Sequence, residues 1–233
     1  MAEALRFKQV AKSYGTEAGI VEVLRGISFS LEAGEAMAVT GPSGSGKSTL
    51  LHLAATLETP TSGSIRIGGE AAHDLPEREL AAFRCRRVGL VFQDHYLLPQ
   101  YTMLQNVLLP TVAAGKGQDD AEERARTLLG RVGLGDRVDH RPAQMSGGER
   151  QRAAIVRAVI NRPSLLLCDE PTGNLDADTA GYVADLLLEL HAGGESALVV
   201  VTHSLELAAR VPRRVELRAG LIQDHRSEPA GGG

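Results

Sequence analysis

The sequence predicts an α/β fold with a parallel sheet, and three short apolar runs support this prediction. The runs cover residues 36–40, 165–169 and 198–202. Their apolar residues are consecutive rather than alternating, which is typical of strands buried on both faces of a sheet. Segments with helical spacing of apolar residues separate the runs, and such alternation of strands and helices indicates parallel pairing.

A β-rich lobe is predicted at the N-terminus. Residues 4–10, 20–31 and 64–68 alternate in polarity or carry β-branched residues between turn signals, which is the pattern of strands. From about Pro76 to Arg162 the chain is instead largely helical. One helical stripe in this region is formed by Ala121, Ala125, Leu128 and Leu129.

The later part of the chain returns to the α/β pattern. Between the apolar runs at 165–169 and 198–202 a helix is predicted, and a short αβ segment follows the second run. One face of that helix holds Val183, Leu186, Leu187 and Leu190. The helical region is therefore an insertion between two halves of one core.

These regions predict one domain over residues 1–233. The core and the β lobe take up about residues 1–92 and 163–226, and the helical subdomain takes up about 93–162. A tail of low complexity, 227–233, is expected to be disordered.

Composition argues against a nucleic-acid-binding, a membrane-spanning and an exported protein. Hydrophobic residues make up 43% of the 233 residues, charged residues make up 23%, and the formal net charge is −4. These values are ordinary for a globular protein and give no electrostatic footprint for nucleic acid. Because no apolar run is long enough for a membrane helix or a signal peptide, we expect neither. Cys85 and Cys168 lack metal-ligand spacing, which predicts reduced, buried thiols in a cytoplasmic protein.

Residues 41–49, here called the phosphate loop, match the pattern GxxxxGK[ST] between the strand 36–40 and a predicted helix 47–57. Its glycines let backbone N–H groups converge on an anion at a helix N-terminus. In this pattern Lys47 reaches the β- and γ-phosphates and Ser48 ligates Mg²⁺. An ordinary Gly/Ser loop is the alternative, but the Lys-Ser offset and both flanks favour a site for a nucleoside triphosphate.

Two acids, Asp169 and Glu170, end the apolar run that begins at Leu165. Catalytic groups of α/β sheets lie at the carboxyl ends of the strands, beside the phosphate loop. Asp169 is therefore predicted to hold Mg²⁺, directly or through water. Glu170 is predicted to polarise the attacking water as general base. A helix N-cap pair is the weaker alternative, because a four-residue apolar run precedes the acids.

A second glycine turn, Ser146-Gly147-Gly148, precedes Asp169 and is here called the signature turn. Ser146 and Glu149 have capping-box spacing, so the residues predict the start of a helix. The two glycines leave bare N–H groups at this helix opening, which suits a phosphate held by another subunit. Both interpretations can hold together.

The order of these motifs resembles the ATPase domains of ABC transporters over nearly the whole chain. Further motifs carry the resemblance: Phe92-Gln93, Asp169-Glu170-Pro171, Gly173-Asn174-Leu175-Asp176 and Thr202-His203. The resemblance implies a P-loop NTPase (RecA-like) core with an N-terminal antiparallel β subdomain, an inserted helical subdomain, and ATP and Mg²⁺ as cofactors. It also implies a head-to-tail homodimer in which two ATP molecules lie between one subunit's phosphate loop and the other's signature turn.

The resemblance also assigns roles to single residues. Gln93 would sense Mg²⁺ and lead into the membrane-partner contact, Asp176 would communicate across the dimer, and His203 would contact the γ-phosphate. Tyr14 matches the aromatic residue that stacks on adenine. A tyrosine packed on its own lobe is the alternative for Tyr14, and a helix-capping histidine is the alternative for His203.

The candidate residues thus form three groups. For nucleotide binding they are Tyr14, Gly41, Ser43, Gly44, Gly46, Lys47, Ser48, Thr49, Ser146, Gly147, Gly148 and Asp176. For catalysis they are Glu170, His203 and Gln93, and for the metal they are Ser48, Gln93 and Asp169.

Two motifs depart from the family pattern. The usual Leu-Ser-Gly-Gly-Gln is here Met-Ser-Gly-Gly-Glu, so Glu149 brings a negative charge near the partner's phosphates. We expect its carboxylate to serve the capping box rather than to face ATP. The segment 173–176 is Gly-Asn-Leu-Asp, where members of the family often have Ser-Ala-Leu-Asp. This is a known alternative form of the motif.

Residues 92–99, with Asn106 and Pro110, resemble the branch of the family that serves lipoprotein release, macrolide export and the cell-division permease pair. This implies a separate integral membrane permease with a periplasmic domain, no nucleic-acid partner, and a cytoplasmic location on the inner face of the cell membrane. One alternative is a cell-division regulatory ATPase that gates a cell-wall partner with little transport. A soluble ATPase acting on nucleic acid or ribosomes is another, against which the acidic charge argues. The transported substrate stays open.

The segment after Gln93 is the predicted docking surface for a cytoplasmic helix of the permease. Tyr96, Leu97 and Leu98 put one aromatic and two aliphatic side chains where the resemblance expects surface. Exposed apolar clusters are typical of docking sites. The alternative is that these leucines anchor the helical subdomain to the core.

Overall fold

The computed structural model describes residues 3–17, 19–115, 120–193 and 196–224. The predicted disordered tail, 227–233, lies outside these residues. None of the helices in the described part of the chain has the length and apolar character that a bilayer crossing demands.

Two sheets organise the chain, as the sequence predicts. The N-terminal sheet has the order β2-β1-β4, and its pairs are antiparallel. Its strands are β1 (Glu3–Thr16), β2 (Gly19–Glu32) and β4 (Ser62–Ile67).

The second sheet has six strands in the order β5-β6-β7-β3-β8-β9. Its first five strands are parallel, and β9 is antiparallel to β8. The strands are β3 (Ala36–Thr40), β5 (Val88–Val91), β6 (Leu165–Asp169), β7 (Ala197–Val201), β8 (Arg213–Arg218) and β9 (Leu221–Asp224). The parallel sheet is thus confirmed, and the run predicted at 198–202 forms β7 one residue earlier.

Strand β5 lies within the region from Pro76 to Arg162, which is largely helical as predicted, and no strand was expected there. Its four residues pair in parallel with β6, with Val88 opposite Leu165. A run this short carries no distinct periodicity, and only its pairing at the sheet edge makes it a strand.

Seven α-helices of the described chain connect or cover the sheets: α1 (Lys47–Ala54), α2 (Glu77–Arg87), α3 (Met103–Ala113), α4 (Ala121–Arg131), α5 (Gly147–Val159), α6 (Ala177–Ala192) and α7 (Leu205–Ala209). Helices α3, α4 and α5 pack together in the region predicted as the helical subdomain. In α4 the predicted stripe faces inward: Ala125 and Leu129 are fully buried.

Helix α1 is shorter than the predicted helix 47–57. Thr56 has a φ of 57°, and its N–H donates to the Leu53 carbonyl while the Leu57 N–H donates to the His52 carbonyl. These two bonds form a Schellman motif, which ends a helix through a left-handed residue. Leu57 therefore leaves the helical stripe and is 45% exposed.

Both faces of the parallel sheet are covered by packed residues. Side chains of successive residues in a strand point to opposite faces, so each strand contributes to two cores. Ala38, Cys168 and Val200 join the core that contains α3 to α6. Their neighbours along the strands join the core formed with α1 and the N-terminal sheet. Cys168 is buried as predicted, whereas Cys85 is only half-buried.

Candidate nucleotide site

The phosphate loop joins β3 to α1 at the carboxyl edge of the parallel sheet. Gly41 and Gly46 have φ angles of 144° and 101°, which L side chains rarely adopt. A Cβ at Gly41 would overlap the carbonyl oxygen of Leu217, and one at Gly46 would lie 2.9 Å from Cδ2 of Leu24. Strand β8 and the N-terminal sheet therefore hold the loop in a shape that only glycine permits.

Lys47 closes the loop from the first turn of α1. Its Nζ donates hydrogen bonds of 2.9 Å to the carbonyl oxygens of Gly41 and Pro42. The ammonium is thus held at the loop opening, where a cation would meet an anionic ligand.

Ser45 is a candidate that the sequence analysis did not single out. Its side chain is 6% exposed, and its Oγ has no hydrogen-bond partner among the residues that the structure describes. A buried hydroxyl without a partner is costly. A phosphate oxygen in the loop would accept its hydrogen bond, so the loop fits the triphosphate predicted for it.

Ser48 and Asp169 meet between the phosphate loop and the end of β6. Burial of Asp169 raises the pKa of its carboxyl, the Ser48 side chain beside it lowers this pKa, and nearby Glu170 raises it. The net shift is upward because an anion is poorly solvated there. Both side chains offer oxygen atoms, which are the ligands that Mg²⁺ prefers.

Glu170 and His203 also lie in contact at the carboxyl edge of the sheet. Glu170 has a φ of 46°, and its N–H donates to the Val201 carbonyl at 2.9 Å, which ties it to the end of β7. Its Oε2 lies 2.9 Å from Nδ1 of His203 and accepts a bond of 3.1 Å from the His203 N–H. The carboxylate is mostly buried, whereas the imidazole is 69% exposed.

Gln93 is placed against the segment 173–176. Its Nε2 donates to Oδ1 of Asn174 at 3.0 Å, and Nδ2 of Asn174 donates to Oδ1 of Asp94 at 3.1 Å. The two segments that follow β5 and β6 are therefore connected through side chains. Sequence reasoning did not assign Asn174 a role, because the contact joins residues 80 positions apart.

Gln151 in α5 is a second connecting residue that the sequence did not reveal. It is 2% exposed, and its Nε2 donates to the carbonyl oxygens of Phe92 at 3.1 Å and Pro171 at 2.9 Å. One amide thus links the helix behind the signature turn to both segments at the sheet edge.

The signature turn starts α5 through the predicted capping box. Oγ of Ser146 accepts from the Glu149 N–H at 3.2 Å, and Oε2 of Glu149 accepts from the Ser146 N–H at 2.8 Å. The bond from the Ser146 backbone is the main cause that lowers the pKa of Glu149. The carboxylate that departs from the family pattern is therefore bound to its own helix end.

Asp176 and Tyr14, the remaining candidates, are both held by local contacts. Asp176 is exposed and caps α6, with Oδ1 accepting from the Thr179 N–H at 3.0 Å. Tyr14 is half-buried, and its hydroxyl donates to Glu58. Their roles toward nucleotide and partner subunit stay predictions.

The prediction that Tyr96, Leu97 and Leu98 form a docking surface is wrong for Leu97. Leu97 is 8% exposed and belongs to the core, whereas Tyr96 is 63% and Leu98 38% exposed. The guanidinium of Arg157 in α5 holds the backbone of this segment, because it donates to the carbonyl oxygens of His95 and Tyr96 at 2.7 Å each. The alternative of an anchor to the core thus holds for Leu97 alone.

Comparison with known proteins explains this geometry. The sequence model that describes ABC transporters matches residues 24–173. The chain belongs to the ABC transporter family. As the ATP-binding subunit of such a transporter, this ABC cassette is an ATPase, which confirms the predicted family and enzyme class.

Two relatives of the cassette cover nearly its whole length. The lipoprotein-releasing system ATP-binding protein LolD of Cereibacter sphaeroides is 49% identical over 223 residues, which are 95% of this chain and 100% of the relative. LolD of Geobacter metallireducens is 47% identical over 222 residues, which are 95% of this chain and 99% of the relative.

Solved structures agree with the fold of the cassette. A dimeric structure of the ATP-binding cassette MJ0796 in a post-hydrolysis state, bound to ADP and Pi, has a TM-score of 0.88 and 34% identity. The similarity covers 97% of this chain and 99% of that one. The predicted P-loop NTPase fold is therefore confirmed.

Proposed function

We propose that this cassette hydrolyses ATP to drive a lipoprotein-releasing permease. The observation that carries ATP hydrolysis is the convergence of Ser48 with Asp169, and of Glu170 with His203, beside the phosphate loop. Relatives named as lipoprotein-releasing ATP-binding proteins, 44 to 51% identical over 92% or more of the chain, support the branch. They do not favour the cell-division alternative.

The metal is proposed to be Mg²⁺, held by Ser48, Asp169 and Gln93. The site offers one carboxylate, from Asp169, and one hydroxyl, from Ser48. Such a set suits a cation that takes one carboxylate and completes its shell with phosphate oxygens and water, which is typical of Mg²⁺. When bound, the ion neutralises charge on the β- and γ-phosphates.

The chain's own residues supply the remaining chemistry. Lys47 and the loop N–H groups hold the triphosphate in place, and Ser45 adds a hydroxyl donor. Glu170 orients the attacking water and accepts its proton while the bond between the γ-phosphorus and the bridging oxygen breaks and ADP leaves. His203, which already contacts this carboxylate, keeps it aimed and reaches toward the γ-phosphate.

Two copies are proposed to close head to tail around two ATP molecules. The signature turn of each copy would then donate its N–H groups to the nucleotide on the other copy. The dimeric structures of MJ0796 support this arrangement. Asp176, exposed at the start of α6, would communicate across the dimer.

The partner is proposed to be an integral membrane permease with a periplasmic domain, which would hold the cassette at the inner face of the cell membrane. Tyr96 and Leu98 are the contact residues, because their side chains are exposed on a fixed backbone. Closure of the dimer would then pull on the permease.

Reconstitution tests this function. The cassette and a candidate permease from the same organism are placed in liposomes that carry a lipidated protein, and release of this protein is measured with ATP and Mg²⁺. Release that requires ATP supports the proposal. Stimulated hydrolysis without release would favour the regulatory alternative, and absence of any hydrolysis would refute both.

A further inference from the structure

Glu58 lies at the centre of a polar cluster between helix α1 and the N-terminal sheet. It follows α1 by four positions and precedes β4. Its carboxylate accepts a hydrogen bond from the hydroxyl of Tyr14, lies 3.2 Å from Nζ of Lys12 and lies 3.4 Å from Nδ1 of His52. Side chains from two places in the chain thus converge on one carboxylate: Lys12 and Tyr14 from β1, and His52 from α1.

Lys12 itself is fixed by further contacts. Its Nζ donates to the Thr59 carbonyl at 2.9 Å and lies 4.8 Å from the centre of the Tyr14 ring. A cation at this distance is attracted to the ring face. One face of the tyrosine is therefore covered by the ammonium.

The hydroxyl of Tyr14 also lies beside Thr49 of the phosphate loop. Burial and the bond to Glu58 raise the pKa of Tyr14, and the Thr49 side chain lowers it, so that the net shift is upward. Burial raises the pKa of Glu58, but the bonds from Tyr14, Lys12 and His52 outweigh it and lower the pKa. The carboxylate is therefore ionised at neutral pH and acts as an acceptor.

We propose that Glu58 is a positioning residue that orients the Tyr14 ring, so that the face opposite Lys12 receives the base of the nucleotide. This inference rests on the proposed role of Tyr14 at adenine. The ion pairs of Glu58 are partly exposed, and such pairs contribute little to stability. A ring held by its hydroxyl and by one face, however, loses less rotational freedom when a base stacks on it.

Nucleotide titrations of four variants test the proposal: Tyr14→Phe, Glu58→Ala, Glu58→Gln and the double variant Tyr14→Phe/Glu58→Ala. The affinity for ATP is measured by competition with a fluorescent ATP analogue, and the affinity for inorganic triphosphate is measured in the same way. Glu70→Ala is the matched control, because Glu70 also pairs with a cation in this lobe, Arg87 at 3.2 Å.

We expect Tyr14→Phe and Glu58→Ala each to weaken ATP binding about 3- to 10-fold, as the loss of one positioning hydrogen bond predicts. The double variant should be no weaker than Glu58→Ala, since both changes remove the same bond. Glu58→Gln keeps an acceptor and should stay within about twofold of the parent. Triphosphate affinity should not change in any variant, and Glu70→Ala should bind like the parent.

Two outcomes would overturn the proposal. Unchanged ATP affinity of Glu58→Ala removes the role altogether, and an equal loss for ATP and triphosphate shows that Glu58 only supports the phosphate loop. Failure of the proposed function looks different, because it appears in the reconstitution as missing hydrolysis or release by the parent and not as a difference in affinity between the variants. A melting temperature for each variant confirms that the compared proteins are folded.

Discussion

Oε2 of Glu170 receives two contacts from His203, one from Nδ1 at 2.9 Å and one from the backbone N–H at 3.1 Å. These residues follow β6 and β7, which are neighbours in the parallel sheet. The pairing of β6 with β7 therefore brings Glu170 and His203 into contact at the carboxyl edge of the sheet without any long loop. Because Glu170 has a positive φ, the turn after β6 is strained and is held by its bond to Val201.

Replacing Glu170 with Gln removes the base but keeps the shape of the side chain. We expect ATP and Mg²⁺ to bind normally and turnover to fall by about 100-fold or more, because a general base contributes on this scale. A dimer with ATP bound should accumulate, as seen by gel filtration. Hydrolysis at the parental rate in a linear phosphate-release assay would show that Glu170 is not the base.

Lys47→Ala should weaken ATP binding itself. The variant loses the ammonium at the loop opening, and charge-assisted bonds to phosphate are strong, so we expect a loss on the order of 2 kcal/mol or more, roughly 30-fold. Calorimetric titration measures the affinity, and circular dichroism controls for folding. A folded variant with unchanged affinity contradicts the assignment.

Leu98→Glu and Leu97→Glu form a matched pair on the docking segment. Leu98→Glu or Tyr96→Ala should leave the melting temperature and basal ATPase nearly unchanged while permease binding is lost, because these side chains are exposed. Leu97→Glu should instead cost several kcal/mol of stability, since it buries a charge in the core. Normal permease binding by Leu98→Glu would exclude this segment as the coupling surface.

Asp169→Asn should stabilise the protein without nucleotide and abolish hydrolysis. The pKa of Asp169 is raised in the folded state, so the folded protein holds this proton more tightly than the unfolded chain. Stability from this group is present at low pH and is lost as the pH rises through the raised pKa. The variant should therefore melt above the parent at neutral pH in Mg²⁺-free buffer, and the difference should shrink in acid. A lower melting temperature of the variant at neutral pH is the contrary result.

Much of the site could be predicted because its residues are close in sequence. Gly41, Lys47 and Ser48 belong to one loop whose spacing alone indicates a triphosphate, and Ser146 with Glu149 forms a capping box three residues apart. Local geometry fixes such contacts once the helix or turn forms.

Contacts between distant segments could not be predicted in this way. Glu58 meets Tyr14, Gln151 joins two loops, and Asn174 binds Gln93 only because the sheets bring their segments together. The burial of Leu97 beside exposed Leu98 likewise depends on the core residues that the fold brings against Leu97.

The parallel sheet, the phosphate loop and the acids at the end of β6 could be predicted from the order of the residues, because each depends on a periodicity or on a spacing of a few residues. The end of α1, the strand β5 and the side chains that support the predicted catalytic and binding residues became visible only in the folded chain. Backbone propensity acts over a few residues, whereas pairing, burial and side-chain contacts depend on neighbours that the fold brings together.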